Sequence, residues 1–157
     1  MPCFAHAWKQ VLAPAQDRLE MCQLLVNGKE NGSSQITVSD LEVCRGGTSY
    51  TVETVAYLKS DLQNDYFWIV GSDAISDFSR WREATKLARL IPFLVFLRID
   101  YPIKILPPGF KKIEGPNLVL TNLSSTIVRE RVKKGLTTAG LVPKTIEEYI
   151  KEKGLYR

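Results

Sequence analysis

Three short stretches carry residue types that could bind and orient a phosphorylated ligand. In Ile69-Val70-Gly71-Ser72-Asp73 a glycine follows an apolar run, with a carboxylate two residues on. The glycine lets a ligand approach the backbone, and Asp73 can accept hydrogen bonds from ribose hydroxyls. The plainer account is a turn at Gly71 and a helix cap at Asp73. Leu123-Ser124-Ser125-Thr126-Ile127-Val128-Arg129 opens a helix with three hydroxyls. Amides at a helix N-terminus make an anion site, and Arg129, about one turn further, adds a planar donor fork. A capping serine ahead of an exposed arginine reads the same way. Arg45-Gly46-Gly47-Thr48-Ser49-Tyr50-Thr51 turns on two glycines into a helix. Its amides could hold a carboxylate or carboxamide, or it is a plain loop. Trp81 lies among polar neighbours, where an indole can stack on an aromatic base or pyridine ring. Trp68 lies within an apolar run and reads as core.

Other chemistries find less support. The three cysteines, Cys3, Cys22 and Cys44, are widely spaced with no Cys-x-x-Cys pair, which argues against a disulfide framework or zinc site. Reduced thiols in the cytoplasm are the expectation. A formal charge of +4 suits an anionic partner, yet the basic residues are scattered apart from Lys111-Lys112 and 129–134. An RNA-binding reading is therefore weak, since the aromatics fall in apolar runs rather than a basic cluster. The most apolar run, Leu90 to Leu97, contains Pro92 and is too short to span a bilayer, and residues 1–6 do not read as a signal peptide.

The elements that must position these residues alternate. A helix is expected from Pro14, with Leu19, Cys22, Leu25 and Val26 on one face. Residues 28–34 read as a loop and 36–43 as a strand with a slip near Ser39-Asp40. Thr51 can cap a second helix whose inward stripe is Val55, Leu58 and Leu62. Tyr66-Phe67-Trp68-Ile69-Val70 has the signature of a strand buried on both faces. A helix over 79–89, a strand over 93–97, an irregular segment rich in proline, and a strand over 117–121 follow. Ser124 then opens a helix ending near Gly135. In the last helix, Pro143 suits the first position, Glu147 and Glu148 lie early, Lys151 and Lys153 late, and Gly154 stands at the C-terminal cap. The 157 residues are expected to form a single domain with a mostly parallel sheet.

Taken in order, these blocks resemble the bacterial nicotinate mononucleotide adenylyltransferase family. The likeness runs from about Leu12 to Tyr156. It rests on Leu12-Ala13-Pro14-Ala15-Gln16-Asp17-Arg18-Leu19-Glu20-Met21, Arg45-Gly46-Gly47-Thr48-Ser49-Tyr50-Thr51-Val52-Glu53-Thr54, Ile69-Val70-Gly71-Ser72-Asp73-Ala74, Arg80-Trp81, Leu123-Ser124-Ser125-Thr126-Ile127-Val128-Arg129-Glu130-Arg131, and Leu141-Val142-Pro143 through Glu147-Glu148-Tyr149-Ile150. The resemblance implies a Rossmann-like, doubly wound α/β fold of nucleotidyltransferase type. It also implies transfer of the AMP part of ATP to nicotinate mononucleotide, with Mg2+ carried by the phosphates. Tyr50 and Thr51 would lie along the nicotinate carboxylate and Trp81 would stack on the pyridine. Gly71 and Asp73 would meet adenosine or ribose, and Ser125, Thr126 and Arg129 the ATP phosphates.

The chain departs from the family at its start. The family opens with a strand, a glycine-rich turn and a His-x-x-His pair, whereas this sequence has one histidine, His6. No catalytic side chain is assigned on that account, and a first βαβ portion of roughly 30 residues is expected to be missing. The alternative reading is an inactive nucleotide-binding remnant. Losing that portion would uncover the apolar runs, favouring poor stability, aggregation or a homo-oligomer.

Overall fold

The computed structural model describes residues 13–27, 36–61 and 63–157. The described elements begin with helices α1 (Ala15–Asn27), α2 (Leu41–Arg45) and α3 (Thr51–Leu58). Strand β1 (Trp68–Gly71), the 3-10 turns Ser72–Ala74 and Phe78–Arg80, helix α4 (Ala84–Leu90) and strands β2 (Phe93–Phe96) and β3 (Phe110–Lys112) come next. Helices α5 (Ser125–Lys133) and α6 (Lys144–Glu152) close the chain. These elements fall into two compact units, Tyr50–Asn122 and the paired segments Met1–Ser49 and Leu123–Arg157. No helix among the described residues is long and apolar enough to cross a membrane.

The unit Tyr50–Asn122 is built on a parallel three-stranded sheet in the order β1-β2-β3. Parallel neighbours need a crossover, and the turns with α4 supply it between β1 and β2. Side chains alternate along a strand, so Phe93 and Val95 of the central strand share one face, and both are fully buried. Val52 and Val55 of α3 and Leu87 of α4 join them in one core. Phe93 stacks on Phe110 at 4.4 Å, and Phe78 meets both edge-on at 5.2 and 4.7 Å. Aromatic quadrupoles favour these arrangements. This core fixes the carboxyl ends of β1 and β2, where ligands of open α/β sheets bind.

The described parts of the other unit are helical. α6 turns Ile146 and Ile150 inward, one helical turn apart. α6 packs on α1, and the Tyr149 hydroxyl donates to Asp17 at 2.8 Å. Gly154 has φ 61° just beyond α6, and the Leu155 amide donates back to the Ile150 carbonyl at 3.0 Å. That is the glycine cap its spacing requires. Between α5 and α6, Thr138 donates its amide and hydroxyl to Glu147 at 3.2 and 2.7 Å.

Several expectations give way to local chemistry. Residues 36–40 form no strand, and α2 begins at Leu41. There the Ser39 hydroxyl accepts from the Leu41 amide at 3.3 Å and Asp40 accepts from the Cys44 thiol at 3.4 Å. Short polar side chains start helices and interrupt strands. Residues 117–121 also lie outside any strand. The Leu118 amide is taken by Gly115 at 3.2 Å in a turn through Pro116, and Val119 is 80% exposed. The expected helix over 79–89 is broken, because Trp81 is extended with ψ 145° and Glu83 is left-handed with φ 52°. Tyr50, not Thr51, occupies the cap position of α3, and Pro143 the cap of α6. On α1 the buried residue is Arg18, while Leu25 is exposed. Finally, the run 66–70 is not buried on both faces, since Phe67 and Ile69 are exposed. β1 pairs with β2 on one side and with no described strand on the other.

Candidate active site

Tyr50 and Thr51 sit where the glycine turn enters α3. The Tyr50 carbonyl accepts from the amides of Glu53 and Thr54 at 3.0 and 3.2 Å. The amides of Thr51 and Val52 therefore lie ahead of the first helical bonds, where a helix has no acceptor of its own to offer. The guanidinium of Arg82 lies 4.4 Å from the centre of the Tyr50 ring. Its Nη1 also pairs with Glu53 Oε1 at 3.2 Å. Trp81 is half-buried, its indole resting against Phe78 and Phe93 at 5.5 and 6.4 Å. Next to it, a hydrogen bond from the Lys86 ammonium holds the Glu83 carboxyl below its usual range, so that carboxyl is ionised. Tyr50, Thr51 and Trp81 thus belong to one body, linked through Arg82.

Gly71 and Asp73 stand in the same unit at the end of β1, with Gly71 opposite Phe96 of β2. A Cβ on Gly71 would meet the Asp73 carboxylate and come within 2.7 Å of Arg98 Nε. Asp73 Oδ1 pairs with Arg98 Nε at 3.0 Å, so the capping account of Asp73 does not hold. The buried Ser72 hydroxyl donates to the Tyr101 carbonyl at 2.7 Å and accepts from the Arg98 amide at 2.9 Å. This bracket secures the Asp73–Arg98 pair across the carboxyl ends of two strands.

The hydroxyl-rich helix start lies in the other unit. Ser124 caps α5, its Oγ accepting from the Ile127 amide at 3.3 Å and its carbonyl from the Val128 amide at 3.2 Å. The amides of Ser125 and Thr126 precede these bonds. Ser125 and Thr126 are exposed, and Arg129 Nη2 donates to Thr126 Oγ1 at 3.0 Å. Hydroxyls, amides and a guanidinium are therefore gathered at the positive end of the helix, a combination that suits phosphate oxygens. A cavity of about 500 Å3 elsewhere in this unit is lined by Leu136, Thr138, Lys144, Glu147, Lys151 and others. Ser125, Thr126 and Arg129 do not line it.

Sequence reasoning passed over Arg82, Arg98 and Ser72. Arg82 adjoins Trp81, and Arg98 follows the apolar run of β2, a place where ligands gather in such sheets. Their partners, Tyr50 and Asp73, lie far away along the chain, so the pairings become visible only in the fold. His6 lies outside the described residues.

Residues 4–131 match the family described as Cytidylyltransferase-like, which gives the class as a nucleotidyltransferase. A relative from Opitutus terrae, named "Probable nicotinate-nucleotide adenylyltransferase", is 34% identical over 152 residues, covering 94% of this chain and 74% of the relative. The chain belongs to the nicotinate-nucleotide adenylyltransferase family. Two solved structures of the Plasmodium falciparum nicotinic acid mononucleotide adenylyltransferase share the fold. The one complexed with NaAD has a TM-score of 0.81 at 23% identity, covering 98% of this chain and 79% of that one. The one complexed with APC has a TM-score of 0.75 at 22% identity, covering 92% and 77%.

Proposed function

We propose that this chain transfers the adenylyl group of ATP to nicotinate mononucleotide, giving deamido-NAD and pyrophosphate, as a step in NAD biosynthesis. The observation that carries the reading is the start of α5, where Thr126 and Arg129 are joined at 3.0 Å beside the open amides of the first turn. Ser125, Thr126 and Arg129 hold the ATP phosphates, and Gly71 and Asp73 receive adenosine or ribose. Tyr50 and Thr51 lie along the nicotinate carboxylate, and Trp81 stacks on the pyridine. A cytoplasmic setting, where thiols stay reduced, is part of this reading.

The chemistry needs little from side chains beyond alignment and charge. A phosphate oxygen of the mononucleotide, already ionised at neutral pH, attacks the α-phosphorus of ATP. The new P–O bond forms as the bond to the α,β-bridging oxygen breaks, and pyrophosphate leaves with that electron pair. No general base is required, so rate comes from holding the reactants in line and offsetting charge on the polyphosphate. Among the described residues no group of three or more His, Cys, Asp or Glu is gathered to hold a metal ion. Mg2+ held by the phosphate oxygens does fit, and it supplies further charge neutralisation.

Pyrophosphate release from ATP and nicotinate mononucleotide, measured on this chain, tests the reading. Release that needs both substrates is expected. Its absence, together with no thermal stabilisation by either substrate, overturns the proposal.

A further inference from the structure

We infer that Arg82 is a positioning residue for the pyridine side of the reaction. Its guanidinium lies on the Tyr50 ring, is pinned by Glu53, and holds the tyrosine in fixed relation to Trp81. The inference rests on the proposed function, in which Tyr50, Thr51 and Trp81 receive the mononucleotide.

Tyr50 and Trp81 come from different elements, the cap of α3 and the turn ahead of α4. The indole has its own support from Phe78 and Phe93, and the Trp81 amide donates to the Phe78 carbonyl at 2.9 Å. Arg82 is the next residue in the chain, so its backbone moves with that turn. Its side chain spans to the other element and makes two contacts there, the Tyr50 ring at 4.4 Å and Glu53 Oε1 at 3.2 Å. A planar guanidinium can stack on a ring and give an edge to a carboxylate at once, whereas an ammonium cannot. Glu53 lies in the first turn of α3, where the helix dipole favours its charge. The clamp therefore closes on the end of α3 that carries Tyr50 and Thr51.

The Arg82 and Glu53 side chains are 50% and 40% exposed, so as an ion pair they contribute little to stability. A purely structural role would show in thermal stability and in both substrates alike. A positioning role shows in the mononucleotide alone. A third role, direct charge contact between Arg82 and the mononucleotide phosphate, would survive release of Arg82 from Glu53.

The experiment compares wild type with Arg82→Met, Arg82→Lys and Glu53→Gln. It reads KM for each substrate, Kd for nicotinate mononucleotide by calorimetry, and Tm. In Arg82→Met, KM and Kd for the mononucleotide should rise about five- to tenfold, the loss expected when the Tyr50 side chain is ordered by binding and not beforehand. Arg82→Lys should lose less, and Glu53→Gln should shift in the same direction. KM for ATP and Tm should stay close to wild type. Unchanged mononucleotide affinity in Arg82→Met overturns the inference, as does parallel loss of ATP affinity and Tm. Wild-type affinity in Glu53→Gln overturns the clamp in favour of direct contact. If wild type itself binds no mononucleotide, the proposed function fails and this inference with it; binding by wild type with unchanged variants removes the inference alone.

Discussion

At Gly71 the missing side chain is what the neighbouring charges require. Its φ is −75°, which any residue adopts, so the demand is steric rather than conformational. A methyl group there would press on the ion pair of Asp73 and Arg98. The atoms in its way are ends of side chains that can swing aside. Gly71→Ala should therefore cost only about 1 kcal/mol of stability, the low end for overpacking. Parting Arg98 from Asp73 should instead appear as a raised KM for ATP, measured beside the denaturation midpoint. An unchanged KM would remove Asp73 from the nucleotide site. The glycine and the carboxylate were legible in the sequence because they sit together after an apolar run. Arg98 was not, because it meets Asp73 only through the parallel register of β1 with β2. Arg82 was hidden for the same reason, its target ring being set by tertiary packing.

The start of α5 and the end of α6 were legible in the sequence while two expected strands did not form, and the cause is the range of the forces involved. A cap is settled within a few residues, so Ser124 at α5 and Gly154 after α6 stand where local chemistry puts them. A strand needs a partner, and the apolar stretches at 36–43 and 117–121 find none in any described ladder. Replacing Ser124 by Ala should cost about 1 kcal/mol, since the Ile127 amide loses its acceptor, and Asp at this position should restore most of it. Chemical denaturation followed by circular dichroism reads both. The tie between α1 and α6 makes a different kind of prediction. The Tyr149 hydroxyl is pushed up to about 12, first by burial and then by its bond to Asp17, against an ordinary value of 10.0. The fold thus holds this proton more tightly than the unfolded chain does. The contribution is whole below pH 10 and is lost as pH climbs from there towards 12, where the unfolded state sheds a proton that the fold keeps. Tyr149→Phe should lose about 1 kcal/mol at neutral pH. It should also decline less steeply than wild type in that alkaline window, as followed by Tm against pH.

On the scale of the whole molecule, net charge and the side of β1 that no described strand pairs bear on behaviour in solution. A net charge of +4 favours encounter with anionic nucleotides, and added salt should weaken that advantage. β1 works against solubility, because it offers apolar side chains beside backbone that no described strand pairs. Ile69 is 66% exposed, and Phe67, just ahead of the strand, 53%. An open strand side of this kind templates pairing with another chain, and a lysine placed on it is the usual deterrent. Self-association through this side of β1 is a testable expectation. Sedimentation of wild type should then give a mass that grows with protein concentration, and Ile69→Lys should reduce the growth. Because Ile69 is already exposed, the substitution should change folding stability by less than about 0.5 kcal/mol. Lowered association thus cannot be mistaken for a better-folded chain. Wild type that stays monomeric at every concentration, or Ile69→Lys that associates as wild type does, would place the contact elsewhere or remove it.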